Sequence, residues 1–363
     1  MQKRLGLSLL AGVAILVAAC SGGSTPAPSA SPSAAASPSA AASPSAAASA
    51  SGEASASPSA ASTTCDTALK VGLVTDVGRI NDKGFNQSAY EGMQAAAALA
   101  PTCFQTDYIE TTSQSDYAKN IAEFTDADYD VVIGVGFLLG DALGDASVAN
   151  PDIKFISVDG IPNPGHDAGW SKNGESLFFA EDQAGYLAGV LAASLDTTGT
   201  IGVVGGLLVV PPVERFVEGY INGAKATKPD ITVKFTYTSS FVEPAQGKAA
   251  AQQMIDPPNN ADVIFAAGGL TGNGALLAAC DAKILAIGVD TDQALTLPEA
   301  APGLVSSATQ NIVGAVQGSL LRIGTGKFAA GVHVDDAKTG GIALAPFHDN
   351  ADKVSQETET LLE

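Results

Sequence analysis

From residue 69 onward, short apolar runs alternate with longer amphipathic ones. The runs KVGLVT (70–75), CFQTDYI (103–109), DVVIGVG (130–136), IKFISVD (153–159), TIGVVGG (200–206), ITVKFTY (231–237), DVIFAAG (262–268) and KILAIGVD (283–290) read as strands. Most are rich in Val and Ile with little polar alternation, which suits parallel strands buried on both faces. Between them SAYEGMQAAAALA (88–100), DYAKNIAEF (116–124), QAGYLAGVLAASL (183–195), VERFVEGYINGAKA (213–226) and PAQGKAAAQQMI (244–255) carry apolar residues at helical spacing. Strand and helix in alternation predict doubly wound α/β layers. Eight or more strands exceed what one compact sheet of this size holds, so the pattern predicts two Rossmann-like lobes joined by a hinge. The first crossing is expected in the polar gap Lys172 to Ser176. The second is expected near Pro298 to Gly303, before LVSSAT and the helix QNIVGAVQGSLLRIG (310–324). Lobe 1 is then 65–175 with about 302–330, and lobe 2 is 176–301 with about 331–363.

The first 64 residues do not fit this alternation. Lys3 and Arg4 precede the apolar run LGLSLLAGVAILVAA, which is too short for a span and closes on small residues, as a secretory signal peptide does (1–19). Its ending, Val17-Ala18-Ala19-Cys20, resembles the lipobox of bacterial lipoproteins, which implies cleavage before Cys20 and a diacylglyceryl group on its sulfur. Residues 21–64 are almost wholly Ser, Ala, Pro, Gly and Thr and offer no core, so segment 20–64 reads as a lipidated Cys with a disordered tether. A leash of that length holds a folded body roughly 35–40 Å from the bilayer on average.

The remaining chain of about 300 residues is long enough for a large core. Losing the two charges of the leader takes the net charge from −20 to −22. Such acidity repels nucleic acid and anionic lipid, and suits an exported monomer on the outer face of the cell membrane with an uncharged or cationic ligand. Cys65 and Cys103 each precede a strand, and would meet at one sheet edge if those strands are parallel neighbours, so a disulfide between them is a candidate. Cys280, ending ALLAAC, is expected as a buried free thiol. No CxxC or His-rich spacing suggests a metal site, and no cofactor is expected.

Candidate chemistry gathers at the strand ends. Asp76 follows VGLVT, Asp159 follows FISV and Asp290 follows AIGV, the positions at which open parallel sheets bind ligands. Ionised carboxylates there accept hydrogen bonds from hydroxyls or ring N–H groups, although each Asp could instead cap its own turn. Phe85 and Asn86, entering the first helix, could give a planar ring a stacking face and an amide reader; Phe85 could equally be a helix staple. Phe216 lies on the apolar face with Val213, Val217 and Tyr220, which favours core packing.

Taken together, VGLVTDVGRINDKGFNQSAYEGM, VERFVEGY, DVIFAAGGLTGNG and GVDTDQ resemble the basic membrane protein family of bacterial lipoproteins, the purine nucleoside receptors that serve ABC importers. The likeness runs from about 70 to 345 with its motifs in order. It implies a type I periplasmic binding protein fold that closes about a hinge on a purine nucleoside, with an ABC permease and its ATPase as partners. The family's binding residues correspond to Asp76, Asp159, Phe85 and Asp290 near the ribose, with Phe216 as the opposing aromatic. Gly268 and Gly269 would admit the ligand to the backbone. The chain departs from the family at Asn81 and Gly84, where Asp and Ser are usual, and at Gln310, where a Lys precedes Asn.

Rival readings remain. A receptor for a sugar or other small solute would use the same architecture and the same acceptors. TDVGRIND is reminiscent of the calcium motif DxDxGxDD of nucleoside hydrolases, but Val74 and Asn81 stand where carboxylates are needed. GGLTGNG has the glycine order GxxGxG, not the dinucleotide order GxGxxG, and a tight strand-to-helix turn accounts for it. His166, His333 and His348 lie in polar or loop-like stretches and form no legible catalytic grouping.

Overall fold

The computed structural model describes residue 65 and residues 68–363; the leader, Cys20 and nearly all of the tether lie outside them. The strands are β1 Leu69–Val77, β2 Phe104–Thr111, β3 Val131–Val135, β4 Lys154–Val158, β5 Gly174–Phe179, β6 Thr200–Gly205, β7 Thr232–Tyr237, β8 Val263–Ala267, β9 Leu285–Asp290, β10 Leu304–Gln310, β11 Gly331–Asp335 and β12 Ile342–Leu344. The helices are α1 Phe85–Leu99, α2 Tyr117–Thr125, α3 Gly140–Ala149, α4 Asp167–Asn173, α5 Glu181–Leu195, α6 Pro211–Thr227, α7 Pro244–Ile255, α8 Gly269–Asp281, α9 Gln293–Thr296, α10 Ile312–Gly324 and α11 Gln356–Leu362.

They build two six-stranded sheets of matching order, β11-β5-β4-β3-β1-β2 and β12-β10-β9-β8-β6-β7. The short β12, antiparallel to β10, is the exception in otherwise parallel pairing. Both faces of the first sheet are covered, which is why its central strands show no polar alternation. Val71, Leu73, Ile133 and Ile156 are buried on one side. Val74, Val132 and Phe155 pack with Tyr117, Phe124 and Trp170 on the other. In the second lobe α5 and α6 approach closely because Gly185, Gly189, Gly219 and Gly223 present only backbone to the facing helix.

The sheets correct the expected crossings. β5 pairs with β4, Phe155 opposite Gly174, so the polar stretch 172–176 lies inside lobe 1 and the chain crosses at Ala180. Lys172 is exposed, but Asn173, Glu175 and Ser176 are buried with hydrogen-bond partners. Asn173 Nδ2 donates to the carbonyls of Ser147, Asn150 and Ile153. Glu175 accepts from Ser319 and Arg322, and Trp170 Nε1 donates to Ser176. β10 lies between β9 and β12, so Pro298 to Gly303 stays within lobe 2 and the return comes after Gln310. α10 then packs on α1, in lobe 1 as expected. A third crossing separates β11, beside β5, from β12. β11 carries His333 and alternates apolar with polar residues, which hid it as a strand. Cys65 and Cys103 form a disulfide with Cα atoms 5.2 Å apart, where β1 and β2 begin side by side. Cys280 is free but only half-buried, at the surface end of α8.

Candidate functional site

The carboxyl ends of both sheets face one cleft of about 680 Å³, counting the part open to solvent. Its lobe 1 wall includes Asp76, Phe85, Asn86 and Asp159; its lobe 2 wall includes Phe216, Gly268, Gly269, Asp290 and Gln310. Every ligand-binding candidate named from the sequence therefore lies on this one surface. Phe85 is half-buried, while Phe216 is 3% exposed and also meets Phe265 edge to face, so it belongs to core and cleft together. Gly268 and Gly269 open α8, Gly269 with φ +58°.

Asp159 and Asp290 occupy equivalent places, the ends of β4 and β9, the third strand in each sheet order. Both are non-glycine residues in the left-handed region, φ +56° and +67°. Such backbone is uncommon and collects at functional sites, because only a supporting structure holds it. Burial raises the Asp290 pKa to about 7 despite the hydrogen bond that Gln310 Nε2 donates to Oδ1 at 2.8 Å. Burial likewise pushes Asp159 well above the carboxylate range, reinforced by Glu181 and Asp290. Its Oδ1 is buried with no partner, as is Gln310 Oε1, so acceptor capacity stands unused at the cleft.

Asp76 is held more firmly. Tyr117 donates to its Oδ1, as does its neighbour Val77 N–H at 2.6 Å, and Asn86 Oδ1 accepts from its backbone N–H at 2.9 Å. Burial outweighs the two donors and raises its pKa to about 6, with nearby Asp82 contributing. Gly136, at φ +104°, leaves room for Oδ2; a Cβ there would collide with that oxygen. The amide expected to read a ligand edge is largely spent inside the protein. Besides its bond to Asp76, Asn86 donates from Nδ2 to Asp82 Oδ2 at 3.0 Å, so one amide N–H remains.

Several contributors were not legible from the sequence. Asp82 caps α1 from two residues upstream of its N-cap, accepting from the N–H groups of Gly84, Asn86 and Gln87. Glu181 is fully buried beside Asp159, and Arg215 Nε donates to it at 2.5 Å; burial raises the Glu181 pKa and Arg215 opposes this. Phe137 and Phe241 add an aromatic ring to each wall. Spacing could have found Asp82, four residues before Asn86 at a helix start, whereas Glu181 and Tyr117 needed the tertiary fold. At Gly84, where the family usually has Ser, a Cβ would sit 3.2 Å from Asp290 Oδ2 across the cleft. The site is thus a slot rich in buried acceptors with apolar walls, and among the described residues no three acidic, His or Cys side chains are grouped to hold a metal.

Residues 69–362 match the family model for ABC transporter substrate-binding proteins of the PnrA-like type. The chain belongs to that family. It is 36% identical over 238 residues to the ABC transporter nucleoside-binding protein BmpA of Lactococcus lactis, covering 62% of this chain and 65% of that one. The chain thus spans a little under two thirds of that relative's length. Basic membrane protein A of Borreliella burgdorferi is 30% identical over 67% of this chain and 68% of its own. An uncharacterized lipoprotein of Pyrococcus furiosus is 28% identical over 76% and 69%. Among solved structures, an ABC transporter solute-binding protein from Aeropyrum pernix superposes with TM-score 0.69 at 26% identity, covering 76% of each chain. A D-allose-bound solute-binding protein from Actinobacillus succinogenes shares the fold alone, with TM-score 0.61 at 16% identity over 78% of this chain and 99% of that one.

Proposed function

We propose that this protein is the extracytoplasmic receptor of an ABC importer and encloses a purine nucleoside between its lobes. The observation that carries the reading is that three strand-end aspartates, Asp76, Asp159 and Asp290, share one cleft with aromatic rings from both lobes. Such a site selects a flat molecule with donors at its edge and at its tail. A nucleoside offers base N–H groups to Asp76 and Asp159 and ribose hydroxyls to Asp290, which Gln310 orients. Phe85 and Phe216 stack on the base. The Lactococcus relative, described as nucleoside-binding, supports the same ligand class.

A permease and its ATPase are the partners this role requires, and the anchor is the lipid on Cys20, in keeping with the lipoprotein relative from Pyrococcus. The reading assigns no bond-making step to the cleft. Val74, where a calcium-dependent hydrolase would need a carboxylate, is wholly buried in the core. Mass spectrometry of the ligand released by denaturing the purified protein tests the proposal, followed by calorimetry with adenosine, guanosine, inosine, ribose and D-allose. Purine nucleosides bound with free ribose ignored is the expected result. A monosaccharide bound in preference to any nucleoside would replace it with the sugar-receptor reading.

A further inference from the structure

The turn between β1 and α1 reaches across the cleft and is held from the far side. Asn273 Nδ2 donates to the Asp82 carbonyl at 2.8 Å. Thr296 Oγ1 donates to the Lys83 carbonyl at 2.8 Å, and Gln293 Nε2 donates to the same oxygen at 3.2 Å. The donors are braced in lobe 2. Gln293 Nε2 also reaches Asn273 Oδ1 at 2.9 Å, while Gln293 Oε1 accepts from Val289 N–H at 2.9 Å and Gln293 N–H donates to Ser307 Oγ at 3.1 Å. The acceptors are braced in lobe 1, since the Asp82 carboxylate pins the turn to α1 and Lys83 sits at φ +71°. Asn273 and Gln293 are 6% and 1% exposed, and none of the three donors lies on the cleft wall.

We propose that Asn273, Gln293 and Thr296 form a latch that favours the closed arrangement of the lobes and sets affinity without touching the ligand. Three bonds bridge the lobes there and all would break on opening. Each such bond changes the closed-to-open ratio by roughly two- to tenfold. Apparent affinity falls with the fraction of the binding-competent state, so loosening the latch weakens every ligand by one common factor. These are positioning residues, and the affinity consequence rests on the receptor reading above.

The test places dyes on Lys119→Cys in α2 and Ala249→Cys in α7, both exposed, in a Cys280→Ser background, and measures single-molecule energy transfer. In the empty protein, Thr296→Val and Asn273→Ala should each shift the population towards the long inter-lobe distance, and the double variant further, by about tenfold or more in ratio. Thr296→Val exchanges a hydroxyl for a methyl and keeps the fold testable if Asn273→Ala does not fold. Inosine and adenosine should then weaken equally, mainly through faster dissociation. An empty protein whose distance distribution is the same in wild type and Thr296→Val overturns the latch, as does a changed preference between the two nucleosides. A wild type that binds neither nucleoside, while the variants still open, sinks the ligand assignment and leaves the latch standing.

Discussion

Lowering the pH should unload this cleft. Asp290 titrates at about 7 and Asp76 at about 6, both held up by burial, so at pH 8 they are ionised acceptors and at pH 5 they carry protons. If ribose hydroxyls donate to ionised Asp290, the apparent Kd grows by the factor 1 + 10^(pKa − pH). That factor is close to 1 at pH 8 and about 100 at pH 5, and Asp76 adds up to about tenfold more if the base needs its ionised form. Calorimetry from pH 8 to 5 should therefore show nucleoside affinity falling by two to three orders of magnitude, with about half a proton released by Asp290 on binding at pH 7. Stability of the empty protein runs the other way. A carboxyl whose pKa is raised by folding stabilises the native state fully below its unfolded value of about 4, and that contribution is lost as pH rises through 6 to 7. The melting shift produced by nucleoside should accordingly be larger at pH 8 than at pH 5. Asp290→Asn should flatten the pH profile by one proton. A Kd that stays level or tightens at pH 5 refutes the reasoning, because protonated carboxyls would then be the binding form.

Phe85→Ala should weaken adenosine, guanosine and inosine alike by roughly tenfold or more in calorimetry, the loss of a stacking face beyond its area; unchanged affinities would make the ring a helix staple. A 5′-phosphate on the nucleoside should cost at least about hundredfold, since Asp76, Asp82, Asp159, Glu181 and Asp290 are buried around the cleft while Arg215 offsets charge at Asp159 and Glu181, and equal binding of AMP and adenosine would contradict that charge argument. Cys20→Ser should move the protein from the membrane to the soluble fraction with nucleoside affinity unchanged, and a fall in affinity would tie the tether to the folded body.

The alternation of strand and helix was legible because strands covered on both faces must be apolar throughout, as VVIGV and VIFAA are, and because few arrangements accommodate such runs. The strand-end aspartates were legible for the same reason, as the first charged residues after an apolar run. β5 was not. Glu175 and Ser176 mark a loop by composition; Arg322 and Ser319, some 145 residues away in sequence, make Glu175 tolerable in the core, and Trp170 does so for Ser176. β11 failed similarly, since an edge strand of alternating polarity resembles a linker. Asn86 was assigned to the ligand by type and position, yet its amide holds Asp76 and Asp82, which only the three-dimensional neighbourhood decides. Glu181 could not be paired with Asp159 without knowing that the chain crosses lobes at Ala180.

That crossing sets Glu181 among the acids of the cleft. Asp159 and Asp290 come from opposite lobes and each hangs on its own left-handed turn. Glu181 stands immediately after the hinge and, with Asp290, raises Asp159, while Asp82 and Glu181 raise Asp290. Bringing the lobes together over an empty cleft is therefore opposed by like charges unless protons are taken up to neutralise them. The bridge from Asn273, Gln293 and Thr296 to the Asp82 and Lys83 carbonyls opposes that repulsion and keeps closure within reach. On the proposed reading, a nucleoside would shift the balance by offering the carboxylates its own N–H and O–H donors. The acids would then stay ionised, and proton release, ligand recognition and lobe closure would be one linked equilibrium.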